Sequence, residues 1–326
     1  MAKHYIAKGL TMKALKTLAI AGIFSAISFN VIADEKQPLH FSTTEVAPGL
    51  HMLMGVGGFT GGNIGLSIGE DGVILIDDSM PPMLDIMKTA IKSVTDQPVD
   101  FLINTHVHGD HTGNNEAMAK SGTHIVAHQN LRKHLIAKGI RGKDGMVPAP
   151  KAALPVITFS DEMSFHLNNE EAHIFHVAHA HTDGDAVIHF TSSNVIHTGD
   201  TLFNGMFPYI DLNSGGSVEG FIAAQQKILS LADDKTKIIP GHGPLANKAD
   251  LQASINMLED SKSIIKKLLA SGKNEEDIVS LNPLKKYHDK WNWGFITTER
   301  MTRQLVKGLA KKQSHGHSHN EGAHSH

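Results

Sequence analysis

The sequence predicts a mixed α/β fold in which two β-sheets pack face to face with helices on their outer surfaces. Two observations predict it. Short apolar runs of strand length recur along the 326-residue chain, and several end in loops rich in His, Asp and Gly. A stretch rich in Gly, Pro and Lys at residues 139–155 divides these runs into two halves, and each half opens with strands and continues with mixed strand and helix.

In the first half, residues 50–56 and 63–68 read as strands joined by Gly57-Gly58-Phe59-Thr60-Gly61-Gly62. This tip lacks the Lys-Ser/Thr of a phosphate loop and no helical pattern follows it, so it is not a phosphate cradle. It reads either as a plain hairpin or as a mobile flap that brings Phe59 to a substrate. Residues 73–76 form a buried strand ending at Asp77. Over residues 83–94, Leu84, Met87 and Ile91 fall on one face of a helix. Residues 100–104 form another buried strand, which leads into His106-Val107-His108-Gly109-Asp110-His111. Residues 139–155 are predicted to be a surface loop. The second half contains predicted strands at 156–159, 163–167, 172–177, 186–190 and 194–197, then a helix at 218–232. A short strand at 237–239 ends in Pro240-Gly241-His242-Gly243, and helices follow at 251–269 and 297–311.

Hydrophobic residues make up 40% of the chain and charged residues 19%, which suits a globular protein. The net charge of -3 leaves no basic footprint for nucleic acid. The 23 histidines exceed ordinary usage and cysteine is absent, so no disulfide is possible and any metal must be held by His, Asp or Glu. Lys13 and Lys16 precede an apolar run over 18–32, and Val31-Ile32-Ala33 places small residues ahead of Asp34. This pattern predicts a secretory signal over 1–33, with Met12 as a second candidate start, and a periplasmic or secreted protein. The competing reading, an uncleaved anchor, requires a longer apolar run. At the other end, His315, His317, His319, His324 and His326 lie among Gly, Ser, Asn, Glu and Ala, so residues 313–326 are expected to form a disordered tail that binds metal weakly or is inert.

The run from His106 to His111 packs three imidazoles and one carboxylate into six residues after an apolar strand. Neutral imidazole and carboxylate are good zinc ligands, and gathering them in a buried loop is costly without partners. Further candidates stand at later strand ends: His181 in Ala180-His181-Thr182-Asp183-Gly184, Asp200 in Thr198-Gly199-Asp200-Thr201, and His242. Glycine beside these ligands lets the backbone turn closely around a metal. His176, His179, His189 and His197 read as strand or loop histidines, and His124, His128 and His134 show no convergent partner in the sequence.

The ordered set resembles the metallo-β-lactamase-fold hydrolase superfamily: an Asp closing an early strand (Asp77), the His-x-His-x-Asp-His motif, and then His181, Asp200 and His242, over residues 41–309. The resemblance implies a four-layer αββα sandwich with two Zn²⁺ ions at the sheet edge. By the same resemblance, His106, His108 and His181 hold one zinc, Asp110, His111 and His242 hold the other, and Asp200 bridges them. Asp77, or its neighbour Asp78, is expected to buttress the ligand loop. The implied chemistry is hydrolysis of a lactone, ester, thioester or amide by a metal-bridging hydroxide, with Asp110 orienting the nucleophile and passing a proton to the leaving atom.

Two departures narrow this reading. The mixed-ligand β-lactamases carry Cys where Asp200 stands, and many carry Lys three residues later, where this chain has Phe203. A dedicated β-lactamase is therefore not expected, although weak activity is. A glyoxalase-type thioesterase uses basic C-terminal residues for glutathione, and Lys285, Lys286, Arg300 and Arg303 are those available. Phe59, Asn204, Phe207 and Tyr209 are the expected substrate contacts, the last three because their stretch follows Asp200. A small-molecule substrate is expected, with neither nucleic acid nor, after signal removal, membrane as a partner. The competing functions are an iron-dependent persulfide dioxygenase and a non-enzymatic periplasmic zinc-binding protein. Diiron reductases of this fold replace His108 by Glu, which argues against that branch.

Overall fold

The computed structural model describes residues 37–315. The predicted signal segment at 1–33, and all but the start of the predicted tail at 313–326, lie outside the described residues. Among the described residues no helix is long and apolar enough to cross a membrane.

The first sheet begins with an antiparallel meander, β1 (His40–Ala47), β2 (Leu50–Val56), β3 (Ile64–Gly69) and β4 (Gly72–Ile76). Helix α1 (Leu84–Lys92) then crosses over to β5 (Phe101–Asn104), which pairs parallel to β4. Two short helices, α2 (Gly109–Thr112) and α3 (Asn115–Lys120), lead to β6 (His124–His128), parallel to β5. Helix α4 (Gln129–Lys138) follows, and then a separate surface hairpin of β7 (Ile140–Gly142) and β8 (Gly145–Val147). The sheet closes with β9 (Ile157–Phe159), parallel to β6. The plain loop expected over 139–155 is thus partly a hairpin, whose strands of three residues are too short to show an alternating pattern.

The second sheet is antiparallel through β10 (Glu162–Leu167), β11 (Glu170–Val177), β12 (Asp185–Phe190) and β13 (Val195–His197). Helix α5 (Val218–Leu231) crosses over to β14 (Lys237–Ile239), parallel to β13, and β15 (Ala246–Asn247) completes the edge. The C-terminal helices are α6 (Lys248–Ala270), α7 (Glu275–Ser280), α8 (His288–Trp291) and α9 (Thr298–His315).

Strand alternation sorts the buried residues into layers, because successive side chains point to opposite faces. Ile74, Ile76, Ile103 and Val126 of the first sheet meet Ile174, Ala186, Ile188 and Ile239 of the second in one central core. The alternate residues Val73, Leu75 and Leu102 face outward onto Met87 and Ile91 of α1 and Met118 of α3. On the other side Phe175, Val187, Ile196 and Ile238 pack on Ala224 and Ile228 of α5 and on Leu251 and Ile255 of α6. The result is the four-layer αββα order. A further core, centred on Phe207, Phe221, Trp291, Met301 and Leu305, joins the C-terminal helices to the loop that follows β13.

The two sheets are tied at the edge where the parallel strands end. Asn63 is buried, its amide nitrogen donating to the carbonyls of Pro240 at 2.9 Å and Gly243 at 2.8 Å, while its backbone N–H donates to Gly241 at 2.7 Å. Asn63→Ala leaves buried carbonyls unpaired, a loss of about 1–3 kcal/mol of stability. Urea denaturation is expected to show a lowered midpoint with an unchanged slope.

Candidate metal centre

Five loops deliver the predicted ligands to this one edge. Asp77 follows β4, and His106 to His111 run from the end of β5 into α2. His181 lies in the turn between β11 and β12, Asp200 in a short 3₁₀ turn after β13, and His242 after β14. Glycine is required where the loops touch. A Cβ on Gly62 would collide with the His111 ring, and one on Gly241 with the Asp200 carboxylate. The glycine-rich tip between β2 and β3 therefore has a packing reason beyond hairpin geometry.

Two ligand groups form. His106, His108, His181 and Asp200 present donor atoms to one point, and Asp110, His111 and His242 to a second. The two oxygens of Asp200 divide between them. Oδ2 lies 3.6 Å from His106 Nε2 and 3.4 Å from His181 Nε2. Oδ1 lies 3.2 Å from His111 Nε2 and 3.4 Å from His242 Nε2. Asp110 Oδ2 stands 3.4 Å from His242 Nε2 and 3.8 Å from His111 Nε2.

Behind this cluster, four of the five imidazoles are oriented through their outer nitrogens. His111 Nδ1–H donates to Asp77 Oδ2 at 2.7 Å. His181 Nδ1–H donates to the Tyr209 carbonyl at 2.7 Å. His108 Nε2–H donates to Asp211 Oδ2 at 3.0 Å. His106 Nδ1 is 3.0 Å from the Thr105 hydroxyl, which itself donates to Asp77 Oδ2 at 2.7 Å. Each such bond fixes a tautomer whose inner nitrogen carries the lone pair a metal needs. The Asp77 side chain, rather than that of Asp78, holds the rings of the ligand loop, while the Asp78 backbone N–H donates to the His111 carbonyl. The Asp78 carboxylate accepts the Asn114 N–H and takes no part in orienting a ring.

The charges call for a cation at the centre. Burial holds the His106 pKa well below the usual histidine range, and it brings His181 down to about 4, so both rings are neutral and able to ligate. Burial opposes charge on His111 and His242 as well, but Asp200 and its neighbouring carboxylates outweigh it, raising His111 well above its usual value and His242 to about 9. Burial likewise opposes charge on Asp110, but His111 and His242 draw its pKa down to about 2. Without a metal, protons on these rings answer the negative charge. His106 Nε2 is buried and makes no hydrogen bond. Orphaned polar atoms of this kind are costly in a folded interior, and a coordinated cation satisfies them. The residues present therefore fit bound metal at this cluster.

The expected substrate contacts divide. Phe59 is 59% exposed and stacks on the His242 ring at 5.9 Å. The Tyr209 ring lies 5.8 Å from both His108 and His181. Phe207 is a correction: it is fully buried in the C-terminal helical core, and its carbonyl accepts the Trp293 indole N–H. The chain turns away from the cleft there, since Phe207 N–H bonds to the Trp291 carbonyl. Asn204 braces the last ligand loop instead, its backbone N–H donating to the His242 carbonyl and its side chain to that of Pro244. Sequence reasoning missed Thr105, Asp211, Trp293 and Phe295. Thr105 adjoins the motif and was legible as a neighbour, but the other three lie about 100 residues or more from His108 and carry no local signal. His134, which showed no partner in the sequence, is 2.7 Å from Asp183 in the His181 loop.

A family model described as the metallo-beta-lactamase superfamily matches residues 57–242. The chain is 25% identical over 222 residues to the 2,4-dinitroanisole O-demethylase subunit alpha of a Nocardioides species, covering 67% of this chain and 63% of that one. It is 30% identical over 162 residues to a hydroxyacylglutathione hydrolase of Pelagibacter ubique, covering 48% of this chain and 57% of that one. The chain thus spans less than two thirds of the length of either relative. Among solved structures, a metallo-beta-lactamase from Pontibacter korlensis superposes with a TM-score of 0.55 at 16% identity, over 68% of this chain and all of that one.

Removing an outer partner frees a ring to rotate and loosens its metal. Asp77→Ala, which releases His111 directly and His106 through Thr105, and Asp211→Ala, which releases His108, are each expected to weaken metal retention by about 10–100-fold. Competition against a chromophoric chelator measures this.

Proposed function

The chain belongs to the metallo-beta-lactamase superfamily, and from that premise we propose that it is a zinc-dependent hydrolase acting on a small lactone, ester, thioester or amide. The observation that carries this reading is the division of Asp200, with one oxygen facing His106 and His181 and the other facing His111 and His242. In this reading His106, His108 and His181 would hold one zinc, Asp110, His111 and His242 would hold the second, and Asp200 would contribute to both groups. When bound, a zinc pair supplies Lewis acidity and a water-derived nucleophile at neutral pH.

The protein's own groups do the rest. Asp110 is ionised and 26% exposed, so its carboxylate faces both the cluster and the cleft. It accepts a hydrogen bond from the attacking water, orients it, and passes the proton to the leaving atom. Asp77, Thr105, Asp211 and the Tyr209 carbonyl keep the imidazoles in place throughout. Phe59 on one side and Tyr209 on the other wall the cleft.

The residues that would select among substrate classes favour some over others. Phe203, where many β-lactamases have Lys, is buried and stacks on His242 at 5.1 Å, so it offers no charge to a drug carboxylate. Of the basic residues considered for glutathione, Lys286 pairs with Asp260, and Arg303 is held by Glu275, Glu276 and Glu299. Lys286 and Arg303 are thus engaged by protein carboxylates rather than turned toward a substrate. The signal pattern supports action in the periplasm or outside the cell.

Metal analysis on protein truncated before Ser314 is expected to find two zincs per chain. A chromogenic panel of lactone, ester, thioester, amide and β-lactam is expected to show turnover of at least one member, with metal and turnover both lost in His108→Ala. One iron per chain with no hydrolysis would replace this reading by persulfide oxidation. Loss of most metal on truncation would replace it by zinc storage. Asp110→Asn is expected to lower kcat by about 10²–10⁴-fold in steady-state assays.

A further inference from the structure

The segment between α8 and α9 passes along the cleft and carries groups that the hydrolytic reading does not use. Trp293 lies 6.4 Å from the His242 ring, its indole fixed by the bond to the Phe207 carbonyl. Phe295 meets Trp293 edge-on at 5.6 Å and Tyr209 edge-on at 5.6 Å. Tyr209 reaches the rings of His108 and His181. An aromatic wall thus runs from the His242 side of the cluster to the His108 side. Phe295 is 46% exposed, although burying a phenyl group is worth about 1.5–3 kcal/mol.

Arg300 completes this wall. Its guanidinium lies 4.0 Å from the Phe295 ring and 5.6 Å from that of Tyr209, and its Nη1 donates to the Phe295 carbonyl at 2.9 Å. Among the described residues no carboxylate lies within ion-pair distance of it, whereas Arg303, one turn on, is held by three glutamates. Arg300 also sits in the first turn of α9, where the helix dipole disfavours a cation. The charge is therefore placed by one hydrogen bond and its ring contacts, left without a counter-ion among the described residues, and set beside exposed aromatic surface next to the cluster. Most of its N–H donors remain available in a planar fork suited to an oxyanion.

We propose that Tyr209, Phe295 and Arg300 form a recognition element for an amphipathic organic anion, with an apolar or aryl group on the rings and an anionic group on the guanidinium. This rests on the cluster being the hydrolytic centre and deepens that reading: the substrate is an acyl compound that carries a negative charge away from the scissile bond.

The test measures binding to the zinc-loaded full chain by titration calorimetry, using 3-phenylpropane-1-sulfonate and the neutral 3-phenylpropan-1-ol. Sulfonate is a poor metal ligand, so the difference between the two reports on Arg300. The sulfonate is expected to bind about tenfold tighter, equivalent to about 1.4 kcal/mol. Arg300→Gln is expected to abolish the difference and Arg300→Lys to restore part of it, the latter also showing that the exposed site tolerates substitution. Phe295→Ala is expected to weaken both ligands by a similar factor. A discrimination unchanged in Arg300→Gln, or no binding of either ligand to the unmodified protein, overturns the proposal. Arg300-dependent binding without turnover of any panel substrate would leave the recognition element standing and remove the hydrolytic reading, whereas turnover with Arg300-independent binding would do the reverse.

Discussion

The carboxylate of Asp77 is the fixed point on which the cluster depends. It is fully buried at the end of β4, with a left-handed backbone (φ 62°). A buried carboxylate is tolerated only when its oxygens are satisfied. Here Oδ1 accepts the Thr105 N–H, and Oδ2 accepts the Thr105 hydroxyl and the His111 ring. These bonds join the loops after two adjacent parallel strands. They also set the tautomer of His111 directly and that of His106 through Thr105. One side chain thus converts strand adjacency into ligand geometry on both sides of the cluster.

The cluster is a local conflict resolved by its setting. Five imidazoles and the carboxylates of Asp110 and Asp200 crowd into one site, and desolvation acts against charge on His106, His111, His181, His242, Asp110 and Asp200. Such a site is destabilising unless a cation answers the carboxylates or protons do. The αββα core supplies the rigidity that holds it. The central layer of Ile74, Ile76, Ile103, Ile188 and Ile239 lies directly beneath the ligand loops, and Asn63 pins the last of those loops to the opposite sheet. Loops on a close-packed base can keep several polar groups in register without relaxing apart.

Around that rigid centre the walls have a different character. Phe59 and Phe295 are exposed aromatic residues that both border the cleft. Phe203 is the opposite case: it fills the place where some relatives carry a charge and stacks behind His242 instead. The cleft is therefore polar at its floor and aromatic at its sides, with the Arg300 cation at the rim. That is the general form of a site that orients a small molecule by a few polar contacts and holds it by apolar ones.

How much was legible in the sequence follows the range of each interaction. The strands at 73–76 and 172–177, the helices near 84–92 and 218–231, and the order of the ligands could be read directly, because each depends on local periodicity or on a motif within a few residues. Strand β1, helix α4 and the β7–β8 hairpin were not read, their patterns being short or mixed. The sequence determined by itself the αββα class, the absence of any thiolate ligand, and the candidates His106, His108, Asp110, His111, His181, Asp200 and His242. Tertiary structure alone decided that the two oxygens of Asp200 separate toward different histidines, and that Asp211 backs His108. It also decided that Phe207 belongs to the core while Phe295 and Arg300 stand at the cleft. The physical reason is that these relations join residues far apart in the chain. They arise only when two sheets pack and a C-terminal segment folds back over their edge, and nothing in the local pattern of either partner records the other.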